Sequence, residues 1–497
     1  MLLLGFDFIE SLDSTVNAII DRFIKPLNHC SSRRTFFSYN FDSRSVHDLS
    51  HNSSLLFFHW THCLGSFLYK NIYTKNVKMF ATLILQLTHK TESSKVYESN
   101  FLLPNIGMSY FSRLIVFASI ASFGTAVVQR GVFFYTRETL AFGETQNLLL
   151  ALGMGTVYVV GAFPSHRVSE WFGERRVLLA LLIIQTGVLV AISQRPQGWL
   201  LAVGSIGFSC LNGMMWPIVE SYVSAGQTPV GASRAIGKFN LAWSLPLPLG
   251  VWSSGLIIQH LAAGLFLFAA GSMALAMAFV LSLQAAPRHL AEDHPERPGA
   301  KRLRWLGALM VSSRSSMVAG YAMLFVLAPL LPVLLSRLGY TVVAQTALAA
   351  CLDASRAATF GLMQGTETWH GRRSILALAA VLLPVGFLLA LSAARGEVVA
   401  LALVVFGASH GVSYYASLYY AMVINNAAVK SAGMHESLIG SGFILGPTAA
   451  LAGRALGTLW HQASLGILVG MSPIVALGVV GGLWPLLRAV QTDRDVP

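Results

Sequence analysis

The chain has 497 residues, 54% of them hydrophobic and only 11% charged, with a mean hydropathy of +0.61. Soluble domains carry about 25% charged residues, so a water-soluble enzyme or binding module is excluded and an integral membrane protein is implied. The formal charge of +12 requires no nucleic acid, because basic residues that hold cytoplasmic loops against anionic lipid account for it.

Residues 1–108 differ in composition from the rest. Lys is frequent there and Ala rare, and the pattern reverses after Met108. No apolar run in this segment is long enough to span a bilayer, and "MLLLGFDFIESLDS" lacks the basic start and apolar core of a signal peptide. A low-order segment is expected, either a cytoplasmic extension or an over-extended reading frame ahead of a start at Met108. Cys30, Cys63, Cys210 and Cys351 are scattered without ligand spacing, so neither a disulfide framework nor a metal site is expected.

A bilayer core takes about 20 apolar residues per helix. Runs of that kind fall at 111–136, 145–164, 175–194, 198–223, 236–258 and 261–284, then at 313–335, 342–363, 374–393, 397–423, 436–458 and 464–488. The expected fold is therefore all-α, with twelve transmembrane helices in two groups of six. Residues 109–284 form the first half, 285–312 a charged, proline-bearing cytoplasmic linker, 313–490 the second half and 491–497 a cytoplasmic tail.

Basic residues orient the spans. Arg167, Arg175, Arg176, Arg234, Lys238, the linker's five, Arg372, Arg373, Lys430, Arg488 and Arg494 all fall on connections of one side. The opposite connections carry the singletons Arg137, Arg195, Arg337 and Arg395. Both termini are thus expected in the cytoplasm, in a multi-pass protein of the bacterial inner membrane.

Two stretches are near copies. "WFGERRVL" (171–178) and "WHGRRSIL" (369–376) lie 198 residues apart, counted from Gly173 to Gly371, and the same offset pairs Gly213 with Gly411 and Tyr222 with Tyr420. Each half repeats two spans, a basic turn, two spans and a Gly/Pro-bearing fifth span. That fifth span has Pro246, Pro248 and Gly250 in the first half, and Gly440, Gly442, Gly446, Pro447 and Gly453 in the second.

With the turn "HRVSEWFGERR", which supplies Glu170, Gly173, Arg175 and Arg176, the chain resembles the major facilitator superfamily from about 109 to 490. It departs from that family's pattern at Trp171 and His166, and the second copy has Thr368 at the acidic position. The resemblance implies parallel six-helix halves with a substrate site between them, and a breakable cytoplasmic latch. In such a latch Gly173 and Gly371 permit a tight reversal. Arg175, Arg176, Arg372 and Arg373 then cap helix carbonyls or pair with Glu170 or Glu220; enforcing topology is the plainer role open to the same arginines. A partial Gly/Pro-rich fifth span is associated in the family with antiporters, although ordinary helix packing explains it as well.

Charges inside spans are functional candidates. Asp353 falls in mid-span with Arg356 at i+3, either as a proton or cation carrier or as a fixed ion pair. His410 is a further titratable candidate, or a helix–helix hydrogen-bond partner. Arg130 can anchor an anionic group or snorkel outward. Asn212, Asn240, Trp243, Ser244 and Tyr321 are candidates for the cavity wall, with Gln129 and Gln345 behind them.

No phosphate loop, HExxH or nucleophile elbow is present, so an ATP-driven pump or a hydrolase is not expected. The reading is a secondary transporter that moves a small organic molecule by proton-coupled efflux, monomeric, with lipid as surroundings and no cofactor, metal or nucleic acid. Proton-coupled uptake of a small anion anchored on Arg130 is the alternative within the class. A transport-dead sensor or assembly partner is the alternative of another class, with a membrane enzyme a distant third.

Overall fold

In lipid a spanning segment must satisfy its own backbone, so long apolar runs fold as helices. The computed structural model describes residues 109–224, 229–285, 300–425, 429–459 and 461–494, and among them every element is a helix. In chain order these are α1 (Tyr110–Gln129), α2 (Gly131–Leu140), α3 (Glu144–Ala162), α4 (Ser165–Phe172), α5 (Glu174–Gln194), α6 (Gly198–Ser224), α7 (Pro229–Ser244), α8 (Pro246–Leu261) and α9 (Gly264–Leu281). A second group follows: α10 (Ala300–Arg337), α11 (Val342–Gly365), α12 (Arg373–Ser392), α13 (Gly396–Asn425), α14 (Val429–Leu459) and α15 (Ala463–Arg494). The expectations for residues 1–108, for half of the linker (286–299) and for the end of the tail (495–497) lie outside the described residues.

Among the described residues, ten stretches are long and apolar enough to cross a membrane. Two of them join neighbouring helices, α1 with α2 and α7 with α8. The second join breaks at Leu245, ahead of Pro246 and Pro248, because proline cannot donate to the helix ladder. The helices α11 and α14 are outside these ten and carry Asp353 with Arg356, and Glu436 with Arg454. The helix α10 starts at Ala300, inside the stretch read as linker.

Small residues let the helices approach closely. At Gly213 of α6 an added Cβ would run into the Tyr158 carbonyl of α3, and at Gly411 of α13 it would meet Thr359 of α11. Between the two groups, α8 packs on α11 and α3 packs on α14.

The two ends of the bundle are tied differently. At one end Glu144 of α3 forms ion pairs with Arg337 of α10, at 2.7 Å, and with Arg454 of α14. These bonds join the first group to the second. At the other end sit the glycine turns, where φ is +81° at Gly173 and +69° at Gly371, the left-handed region that glycine enters without strain. There two bonds each lie within one group: Arg175 donates to the Leu283 carbonyl at 3.1 Å, and the Gly371 N–H donates to Tyr420 Oη at 3.1 Å. Glu144→Gln weakens both ion pairs at once. Labelling by a membrane-impermeant maleimide, at a cysteine placed at Ser122 in an otherwise cysteine-free chain, is expected to rise several-fold from the Glu144 side.

Candidate functional site

A cavity lies between the two groups of helices. Its lining comes from α1, α3, α6, α7 and α8 on one side and from α10, α11, α13 and α14 on the other.

One charged cluster bridges the groups. Arg130 falls at the break between α1 and α2, so its side chain leaves the helix stack and reaches Asp353 of α11, with Nη2 to Oδ2 at 2.9 Å. Arg356, one turn along α11, takes the other oxygen at 2.8 Å. Both oxygens of one buried carboxylate are thus held by guanidinium groups, and the cluster carries one cation more than it answers. The Arg356 guanidinium also lies 5.2 Å from the Trp243 ring centroid, a geometry in which the ring face attracts the cation.

A second cluster contains two acids. Tyr158 of α3 donates to Glu436 Oε2 of α14 at 2.5 Å, and Glu220 of α6 lines the same cavity. Aromatic rings fill the space around both clusters. Tyr321 packs edge-on to Phe443 with centroids 5.5 Å apart, and Trp243 edge-on to Tyr414 at 5.2 Å.

The sequence profile of the major facilitator superfamily matches residues 108–447. The chain belongs to the major facilitator superfamily. Solved structures with the same fold include the nucleoside transporter NupG (13% identity, TM-score 0.56, covering 76% of this chain and 99% of that one). A bacterial homologue of the human lysosomal transporter Spinster matches at 14% identity and TM-score 0.55, with 76% and 96% covered. The human organic anion transporter MFSD10 (TETRAN) matches at 13% identity and TM-score 0.51, with 76% and 98% covered. A search of curated protein sequences finds no match. As a facilitator, the protein is a multi-pass membrane transporter and not an enzyme.

The facilitator's cavity gathers several of the residues singled out in the sequence: Arg130, Asn212, Trp243, Tyr321, Asp353 and Arg356, together with Gln129. Arg130 does not snorkel; it turns inward to Asp353. Asn212 Oδ1 accepts from Thr125 at 3.2 Å. Other candidates do not line the cavity. Asn240 accepts from Trp243 Nε1 at 3.0 Å, Ser244 bonds back to the Leu241 carbonyl, and Gln345 caps Tyr340. His410 is buried behind Tyr321, the two rings edge-on at 4.5 Å.

The latch differs from its expected form. Arg175 does cap a carbonyl at the end of a helix, but Glu170 pairs with His166 at 3.3 Å. Glu220 lines the cavity instead of meeting the arginines, because α6 turns that face toward α14. Arg176, Arg372 and Arg373 are exposed.

Glu436 and Tyr158 were missed. The signal for Glu436 is an acid opening the apolar run "ESLIGSGFIL"; Glu220 is read for the latch and not for the cavity, although its carboxylate falls inside the fourth expected span. Both are positions where an ionisable group calls for a function.

Proposed function

We propose that the protein is a secondary active transporter with twelve spans in two six-helix halves, which rock about the central cavity and couple efflux of a small organic molecule to proton entry. The Arg130–Asp353 ion pair carries this reading. It crosses from one half to the other inside the cavity, so rocking must break and re-form it, and a charge arriving there alters which state is favoured. On this reading the Gly173 and Gly371 turns face the cytoplasm, as the basic residues on those connections suggest. The Glu144 ion pairs then seal the outer side, and the structure is the state closed to the outside. The membrane is the bacterial inner membrane, with both termini inside.

Uptake of a small anion is the second reading. It is favoured by the surplus cation of the Arg130, Asp353 and Arg356 cluster, whose Arg356 Nε is buried without a partner. A transport-dead sensor would need no charged bridge between halves.

The test uses protein reconstituted in vesicles that enclose a pH dye, under an imposed proton gradient, with pools of organic amines and organic acids. The reading expects amine-dependent proton movement, absent in Asp353→Asn vesicles of matched protein content. Proton movement that follows the acids moves the assignment to uptake, and well-folded protein that moves no protons with either pool overturns coupled transport.

A further inference from the structure

Glu220 of α6 and Glu436 of α14 line one cavity from either side of the boundary between the helix groups, and Glu436 Oε2 accepts from Tyr158 at 2.5 Å. Ionised carboxylate oxygens only accept, so the two carboxyls can bond to each other only with one proton between them. Without a positive charge two anions face each other at close range, which separates them. A single positive charge between them relieves that repulsion. Because the pair opens on the cavity, that charge need not be a proton.

Three further observations point to a ligand. Glu220 Oε2 is buried with no hydrogen-bond partner. Aromatic rings of Tyr158, Trp216, Tyr321, Tyr414 and Phe443 line the cavity around the pair, and such faces attract an organic cation. Arg356 and Ser122 also line this cavity; both are buried, and Arg356 Nε and Ser122 Oγ lack partners. Buried groups left in this state are costly unless something answers them.

We propose that the cavity takes a small molecule with a protonated amine at one end and a hydrogen-bond acceptor at the other, the amine replacing the shared proton on Glu220 and Glu436 and the acceptor meeting Arg356 Nε. The exchange balances: the carboxyl O–H breaks, its proton leaves to water, and the ammonium brings an equal charge. A return to the closed pair requires either cation, so proton and amine compete for one place. The groups facing the pair are Tyr158 from α3, Tyr321 from α10, Tyr414 from α13 and Arg356 from α11, with His435 beside Glu436 turned edge-on to the Tyr414 ring. For its role in the cell this inference rests on the transport reading; the binding event itself does not.

The test is made on purified full-length protein in weakly buffered detergent solution, with equilibrium dialysis for binding and a dye for released protons. The probes are tyramine and other hydroxylated aromatic monoamines, each with its matched alcohol and carboxylate. Amines are expected to bind and release one proton per ligand, while alcohols and carboxylates release none. Glu436→Gln removes the release, with Glu220→Gln as the second variant if the first does not fold, and the exposed Glu138→Gln retains it. Binding of carboxylates in preference to amines, no proton displaced by any amine from folded protein, or undiminished release in the folded variants overturns the proposal. Displacement that stands while vesicles show no amine movement would count against transport and leave the site intact.

Discussion

Asp353→Asn is expected to destabilise the folded protein by about 3–5 kcal/mol, the range for removing one partner of a buried ion network. The reason is the geometry of its two partners. Arg130 and Arg356 each hold one oxygen of this carboxylate, at 2.9 and 2.8 Å. An amide answers neither charge, so two guanidinium groups are left close together in a poorly solvated space. Arg130→Gln should cost less, since it leaves the Asp353–Arg356 pair whole. The double variant Arg130→Gln/Asp353→Asn should recover part of the loss, because it removes one of the two uncompensated cations. Thermal unfolding of the four proteins in detergent checks the order, and the coupling shows as non-additivity. Equal losses in both single variants with full additivity would mean that the three groups do not act as one cluster.

The second large effect is steric. Gly213→Val is expected to abolish folding or to lower stability by about 3 kcal/mol, the upper end of the usual range for overpacking. The obstacle is backbone: the new Cβ would run into the carbonyl oxygen of Tyr158, and a carbonyl inside a helix cannot turn aside as a flexible side chain can. Moving α6 away from α3 would also disturb Glu220 and Tyr158, which those helices place at the cavity. Gly187→Val is the control, since nothing lies within 4 Å of a Cβ there. Yields of monodisperse protein and melting temperatures of the two variants provide the comparison. Similar behaviour in both would contradict the close approach.

Helix positions were legible because the physics is local. An apolar run in lipid has one way to satisfy its backbone, and the expected spans such as 145–164 and 175–194 lie within two residues of α3 and α5. The 198-residue offset was legible for a related reason: Gly173 and Gly371 share a positive φ, and Gly213 and Gly411 each sit against a neighbouring helix. Partnerships across the cavity were not legible. Asp353 and Arg356 are a turn apart on one helix, so their bond could be read from spacing, whereas Arg130 and Glu436 meet partners hundreds of residues away. The two copies of the turn also diverge in packing. Trp171 is 73% exposed, whereas Trp369 is 4% exposed, edge-on to the Tyr415, Tyr419 and Tyr420 rings and donating to the Met363 carbonyl. A motif can repeat while the surface it meets does not.

Alternating exposure of the cavity is the centre of this account, and distances between spin labels on the two helix groups test it most directly. One pair, Arg176→Cys with Arg373→Cys, spans the end that bears the glycine turns; the other, Gln194→Cys with Ser392→Cys, spans the Glu144 end. All four positions are exposed. In lipid nanodiscs, pulsed electron resonance is expected to show opposite movements, one pair lengthening as the other shortens when the pH is changed or tyramine is added. Distances that stay fixed at both ends, or that grow together, would contradict a rocking transporter.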